Sequence, residues 1–86
     1  MDRLDPESID LLALTRYLAR MFAAGAQGYV VGRTRLRDAV VERLRCSELQ
    51  AEELVDTLIL RHLIEFNGDP TVADTGAWLI RAQPAA

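Results

Sequence analysis

Five arginines crowd one short stretch of the chain: Arg33, Arg35 and Arg37, then Arg43 and Arg45. A guanidinium meets phosphate or carboxylate through paired hydrogen bonds, so this stretch is equipped to hold an anion. Arg33, Arg35, Arg37 and Arg45 are the candidate phosphate contacts, because affinity for nucleic acid comes largely from cations that displace counterions. The competing reading is a solvated face on which these arginines pair with Asp38 and Glu42. Two other residues carry reactive groups, and each is the only one of its kind: Cys46 and His62. A single cysteine forms no internal disulfide, and one Cys with one His does not make a tetrahedral zinc site. Cys46 reads as a small core or turn residue, with a reactive thiol near Arg43 and Arg45 as the alternative. No Gly-rich phosphate loop, metal set or nucleophile–base pair is present, so neither an enzyme nor a cofactor is expected.

Charge divides the chain. Residues 1–46 hold eight Arg against six acids, and residues 47–86 hold only Arg61 and Arg81 against seven. The sum is −3 over 86 residues, of which 50% are hydrophobic. That length and composition predict one globular domain, 1–86, with an ordered core over about 6–81 and a frayed tail at 82–86. The core is thin, since a chain of this size buries only roughly 60–65% of its unfolded surface. No apolar run approaches the roughly 20 residues of a membrane span. The opening MDRLDPES carries three acids and is not a signal peptide, so a cytoplasmic protein is expected.

Several elements must position these groups. Asp5-Pro6-Glu7 reads as a helix start, and helix one is predicted from about Pro6 to Ala24. Leu11, Leu14, Leu18, Met21 and Phe22 form its core stripe, while Ile9 and Leu12 fall off that stripe. Gly25 to Gly28 should end it. Tyr29-Val30-Val31 reads as a minimal strand. Thr34 should cap helix two, about Arg35 to Arg45, which would put Arg33 and Arg35 at its positive end. Ser47 should cap helix three, whose core side holds Ala51, Leu54, Val55, Leu58, Ile59 and His62. Glu53, Asp56, Thr57 and Leu60 should point away. Leu63 to Phe66 alternates as a strand, Asn67-Gly68 signals a tight hairpin whose turn Asp69-Pro70 supports, and Thr71 to Ala73 would return. Gly76 to Ile80 reads as a short closing helix, with a second strand as the alternative. Trp78 should pack in the core.

Val55 and Leu58, followed by His62-Leu63-Ile64, resemble the "L-x-x-L-x-x-x-G-L-I" ending of winged-helix recognition helices. Val72-Ala-Asp-Thr75-Gly76 resembles the "L-T-x-x-G" that closes the wing in bacterial regulators of the MarR-like kind. The resemblance covers about residues 8–81. It departs from the pattern at His62, where glycine is usual, and at Asp74-Thr75, where the threonine is shifted. It implies an α+β, mostly α, winged helix-turn-helix of three helices and a short β-hairpin wing. It also implies a regulatory module that binds duplex DNA, with helix three in the major groove. Gln50, Thr57 and Arg61 would then face the groove. A domain this small contacts few base pairs alone, so a homodimer is expected.

The same helix supports a second reading. Base edges are read mainly by Arg, Lys, Asn and Gln, and Glu53 and Asp56 would meet phosphates at a repulsive cost. A protein-interaction module of winged-helix shape uses what DNA binding leaves over: Ile9, Leu12, Glu53, Asp56 and Leu60 as a partner or dimer surface.

Overall fold

A computed structural model of the chain describes residues 10–72 and 75–81. Asp10 begins the first helix, α1 (Leu11–Met21), by accepting a hydrogen bond from the Ala13 amide at 3.0 Å. The expected Asp5 cap, the Pro6 start and Ile9 lie outside the described residues, as does the tail. Leu14, Leu18 and Phe22 face inward with Thr15, whose hydroxyl donates to the Leu11 carbonyl at 2.7 Å. Met21 is 53% exposed, because the helix stops there and the chain turns through Gly25. The periodicity placed that end at Ala24, three residues too late.

Beyond the turn the chain makes a two-residue strand, β1 (Ala26–Gln27), then α2 (Tyr29–Leu44) and α3 (Glu48–Leu60). Two longer strands follow, β2 (Ile64–Asn67) and β3 (Ala77–Ile80). The sheet is antiparallel in the order β1-β3-β2, with Ala26 opposite Trp78 and Phe66 opposite Trp78 on the other side. Three helices and this small antiparallel sheet make an α+β fold, an arrangement compatible with the expected winged helix-turn-helix.

The start of α2 corrects the sequence reading. Tyr29-Val30-Val31 is its first turn, not a strand, and Gly28 is its N-cap, not Thr34. β-Branched residues favour strands locally, but tertiary contacts override that preference. Gly28 takes φ +82° and breaks the extended path, and its carbonyl accepts from the Gly32 amide at 3.0 Å. The indole Nε1 of Trp78 then donates to the Tyr29 carbonyl at 2.8 Å. Tyr29, Phe66 and Trp78 pack their rings with centroids 5.1–5.3 Å apart, tying α2 to both wing strands. Arg33 and Arg35 therefore lie within the helix and not at its positive end.

Local chemistry sets α3. The Ser47 hydroxyl accepts from the Gln50 amide at 3.0 Å, and the Gln50 side chain accepts from the Ser47 amide at 3.2 Å. This reciprocal pair is a capping box. Ala51, Leu54, Val55 and Leu58 are buried, and Ile59 is half-buried. His62 is exposed, contrary to its predicted place on the core side. It takes φ +61° and ends the helix in the glycine-like conformation. The Leu63 amide donates to Leu58 and the His62 amide to Ile59, the two bonds of a Schellman stop. A side chain in this left-handed region costs about 1 kcal/mol, so His62→Gly is expected to stabilise the domain by about 0.5–1 kcal/mol. Urea unfolding with circular dichroism checks this. A loss of stability would mean that the imidazole makes a contact worth more than the strain.

The wing is wider than the Asn67-Gly68 signal predicts. Asn67 still pairs with Ala77, and the connection runs from Gly68 to Gly76. Asp69 and Pro70, expected to support the turn, form it: the Val72 amide donates to the Asp69 carbonyl at 3.1 Å. Pro at the second position suits that turn, and Asp at the first can brace it. The Asp69 carboxylate accepts from the Thr71 hydroxyl at 2.7 Å and the Thr71 amide at 2.9 Å, which hold its pKa below the usual range. Thr71 and Val72 thus belong to the turn and do not form the expected return strand. That strand is β3, where the sequence reading favoured a helix at Gly76 to Ile80. Gly68 and Gly76 close the loop at its base, where a Cβ on Gly68 would stand 2.7 Å from the Gly76 Cα.

Candidate functional site

The helices bring the arginine stretch against the acids of α3. Arg33 donates to Glu52 at 3.0 Å and to Asp56 at 2.5 Å. Arg37 reaches Asp38 at 2.8 Å, Glu52 at 3.6 Å and Glu48 at 4.0 Å. Burial disfavours the Arg33 cation, but the hydrogen bonds and charges of Asp56 and Glu52 more than offset this and raise its pKa. The hydrogen bond from Arg37 to Asp38, opposed by slight desolvation, raises that of Arg37 as well. Two of the four candidate phosphate contacts are thus engaged in carboxylate pairs within the fold. The competing solvated-face reading named Asp38 and Glu42 as the partners. Asp38 is one of them, and α3 supplies the others.

The remaining basic groups are spread. The Arg35 guanidinium lies 5.2 Å from the Phe22 ring centre, and Arg43 lies 5.2 Å from that of Tyr17. Both therefore sit along the α1–α2 seam, with Arg35 exposed. Arg45 is the C-cap of α2 at φ +56°, so its backbone ends the helix while its side chain stays exposed. Cys46 is half-buried, and desolvation raises its thiol pKa above the ordinary value. That direction opposes a reactive thiolate.

The candidate groove-facing residues do not form one set. Gln50 is occupied in the capping box. The Thr57 hydroxyl donates to the Glu53 carbonyl at 2.9 Å within its own helix. Arg61 follows the last turn of α3 and lines a groove with Leu11, Leu12 and Leu63. Leu12 is half-buried there, so it is less exposed than its position off the stripe suggests.

The outer face of α3 is the coherent surface. Leu49, Glu53, Asp56 and Leu60 follow one another at steps of four, three and four residues, which aligns them on one side of a helix. All four are exposed, and they lie opposite the buried Ala51, Leu54, Val55 and Leu58. Leu49 is 70% exposed and Leu60 is 78% exposed. The sequence reading named Glu53, Asp56 and Leu60 and missed Leu49. Its signal was the same four-residue step that placed Glu53. α3 itself contains no basic residue. Arg33 and Arg37 face Asp38, Glu48, Glu52 and Asp56, so the cluster beside this face stays acidic after pairing.

Arg33 is the largest link between α2 and this face. Arg33→Met is expected to cost about 1 kcal/mol, because half-exposed pairs are worth little even when hydrogen-bonded. The loss should shrink at high salt, where the pairs in the parent domain are already screened. Urea unfolding of both proteins at low and high salt measures it. A cost that does not change with salt would assign Arg33 to packing instead of charge.

Among the described residues no helix is long and apolar enough to cross a membrane, and no three metal-ligating side chains gather. No family model, curated protein or solved structure matches the chain.

Proposed function

We propose that this winged-helix domain is a protein-interaction module and that the outer face of α3 is its docking surface. One observation carries the reading: the helix that would enter a DNA groove presents Leu49, Glu53, Asp56 and Leu60, with no cation among them. A phosphate backbone would meet carboxylates there and find Arg33 and Arg37 already paired. A protein partner gains from both features. It can bury two large leucines and complement the acids between them. The proposed role is binding and involves no catalysis.

DNA binding, as a transcriptional regulator, is the reading this one displaces, and Arg35, Arg45 and Arg61 are the cations it would still have to use. Titration of mixed duplex DNA into the domain at low salt separates the two. No change in anisotropy is expected. Salt-sensitive binding that falls on Arg35→Glu would return the function to nucleic acid. In parallel, a photo-crosslinking residue at position 60 is expected to give a discrete adduct in cells that make the protein, and the same residue at position 16 on α1 is not. Leu60→Asp should abolish capture from a crosslinker at position 49 while changing stability by no more than about 0.5 kcal/mol. Capture that survives would remove α3 from the interface.

A further inference from the structure

The partner of this face can be specified from its charge and spacing. Resting on the docking role of α3, we infer that the occupant is a basic amphipathic helix. It carries Arg or Lys where it meets Glu53 and Asp56, and an apolar residue toward each end of the contact. Leu49 and Leu60 are about 16 Å apart along the axis at ~1.5 Å per residue, the length of three helical turns. The 4-3-4 step between the four residues is the step of a coiled-coil seam, which selects another helix over a loop or strand. In a seam made only of apolar residues the two middle positions would be apolar. Here both are acids, and only Asp56 has a cation, Arg33, so a partner with an uninterrupted apolar stripe would bury Glu53 without a counter-charge.

Charge also disfavours the most economical partner, a second α3. Antiparallel pairing of two copies would set Leu49 against Leu60 but Glu53 against Asp56. Parallel pairing would set each acid against its own copy. Arg33 already offsets Asp56, so the conflict falls on Glu53, which meets a carboxylate and no free cation in either pairing. A homodimer would therefore gain more from another surface.

The pairs already present support this assignment. Arg33 approaches Asp56 and Glu52 from the α2 side, leaving the Asp56 side chain 63% exposed. Glu53 is exposed, and no ion pair is formed by it among the described residues. Glu53 is therefore the position where a partner cation gains most.

Two labelled synthetic helices test the inference. One has leucines eleven residues apart enclosing two arginines at the complementary steps, on an alanine-rich background. The other has glutamates in place of the arginines. Titrated into the ¹⁵N-labelled domain, the arginine peptide is expected to shift amide resonances along α3 and to bind at least about tenfold more tightly at low salt. Glu53→Arg should remove or invert that preference. Glu53→Gln should give an intermediate ratio, and circular dichroism confirms that each variant is folded. Equal affinity for the two peptides, or an unchanged ratio in Glu53→Arg, overturns the assigned partner. So does the absence of α3 shifts with the arginine peptide. Failure of the docking reading itself appears separately, as loss of the position-60 adduct in cells.

Discussion

Trp78→Ala is expected to remove about 3–5 kcal/mol, the cost of truncating a large aromatic in a packed core. A domain of this length has only about 4–13 kcal/mol in total, so the variant should be largely unfolded on gentle warming. Three separate contacts concentrate the effect at this residue. Its side chain is 2% exposed, and it stacks with Tyr29 and Phe66 at 5.1 and 5.3 Å. Its indole donates to the Tyr29 carbonyl at 2.8 Å, joining residues 49 positions apart. It also stands in the middle strand, opposite Ala26 on one side and Phe66 on the other. Trp78→Phe keeps the ring and loses the donor, and should cost only about 1–2 kcal/mol. Trp78 is the only tryptophan, so unfolding is followed by far-ultraviolet circular dichroism. A Trp78→Ala domain that melts like its parent would show that residues 77–80 do not form the central strand.

Gly32→Ala is expected to destabilise, although in an exposed helix interior the same change stabilises by about 1 kcal/mol. The difference is the space beside α2. A Cβ on Gly32 would stand 2.5 Å from the Ala26 carbonyl oxygen and 2.9 Å from Cδ1 of the Trp78 ring. The first of these is backbone, pinned by pairing with β3, and cannot rotate away. The helix must tilt or β1 must part, and such overpacking costs about 1–3 kcal/mol even after relaxation. Set against the helix-propensity gain, the net expectation is a loss of up to about 2 kcal/mol, read from urea midpoints at constant slope. A gain would mean that α2 does not pack this closely on the sheet. The consequence reaches the proposed docking face, because the tilt of α2 sets Arg33 against Glu52 and Asp56. Salt-dependent stability should therefore decline along with the total.

These results would also separate what is local in this chain from what is not. α3 is legible from sequence because its limits are written within a few residues: the Ser47–Gln50 box begins it, and its apolar positions repeat at helical steps. The outward direction of Glu53, Asp56 and Leu60 follows from the same period. His62 shows the limit of a motif, since the chain makes the glycine-like turn without glycine, held by the hydrogen bonds around it.

Elsewhere the local signal loses. Tyr29-Val30-Val31 has strand chemistry and becomes helix, because Trp78 and Phe66 pack on its first turn. Ala77 to Ile80 is an apolar run without period, and two flanking strands make it a strand. The hairpin forms at Asp69-Pro70, where carboxylate and proline brace one turn, and the Asn67-Gly68 pair remains at the edge of the sheet. The carboxylates of Arg33 arrive from positions 19 and 23 residues away, whereas Arg37 holds Asp38, next to it in sequence, and gains Glu48 and Glu52 only through the fold.

Three helices, the cap and period of α3, and the division of charge between the two halves can be read from the residues alone. The strand at Ala77–Ile80, the helical start at Tyr29 and the pairing of Arg33 with Glu52 and Asp56 come from the fold. Capping and periodicity act over one or two turns of chain, whereas ion pairing and strand choice depend on which distant segments the core brings within a few ångströms.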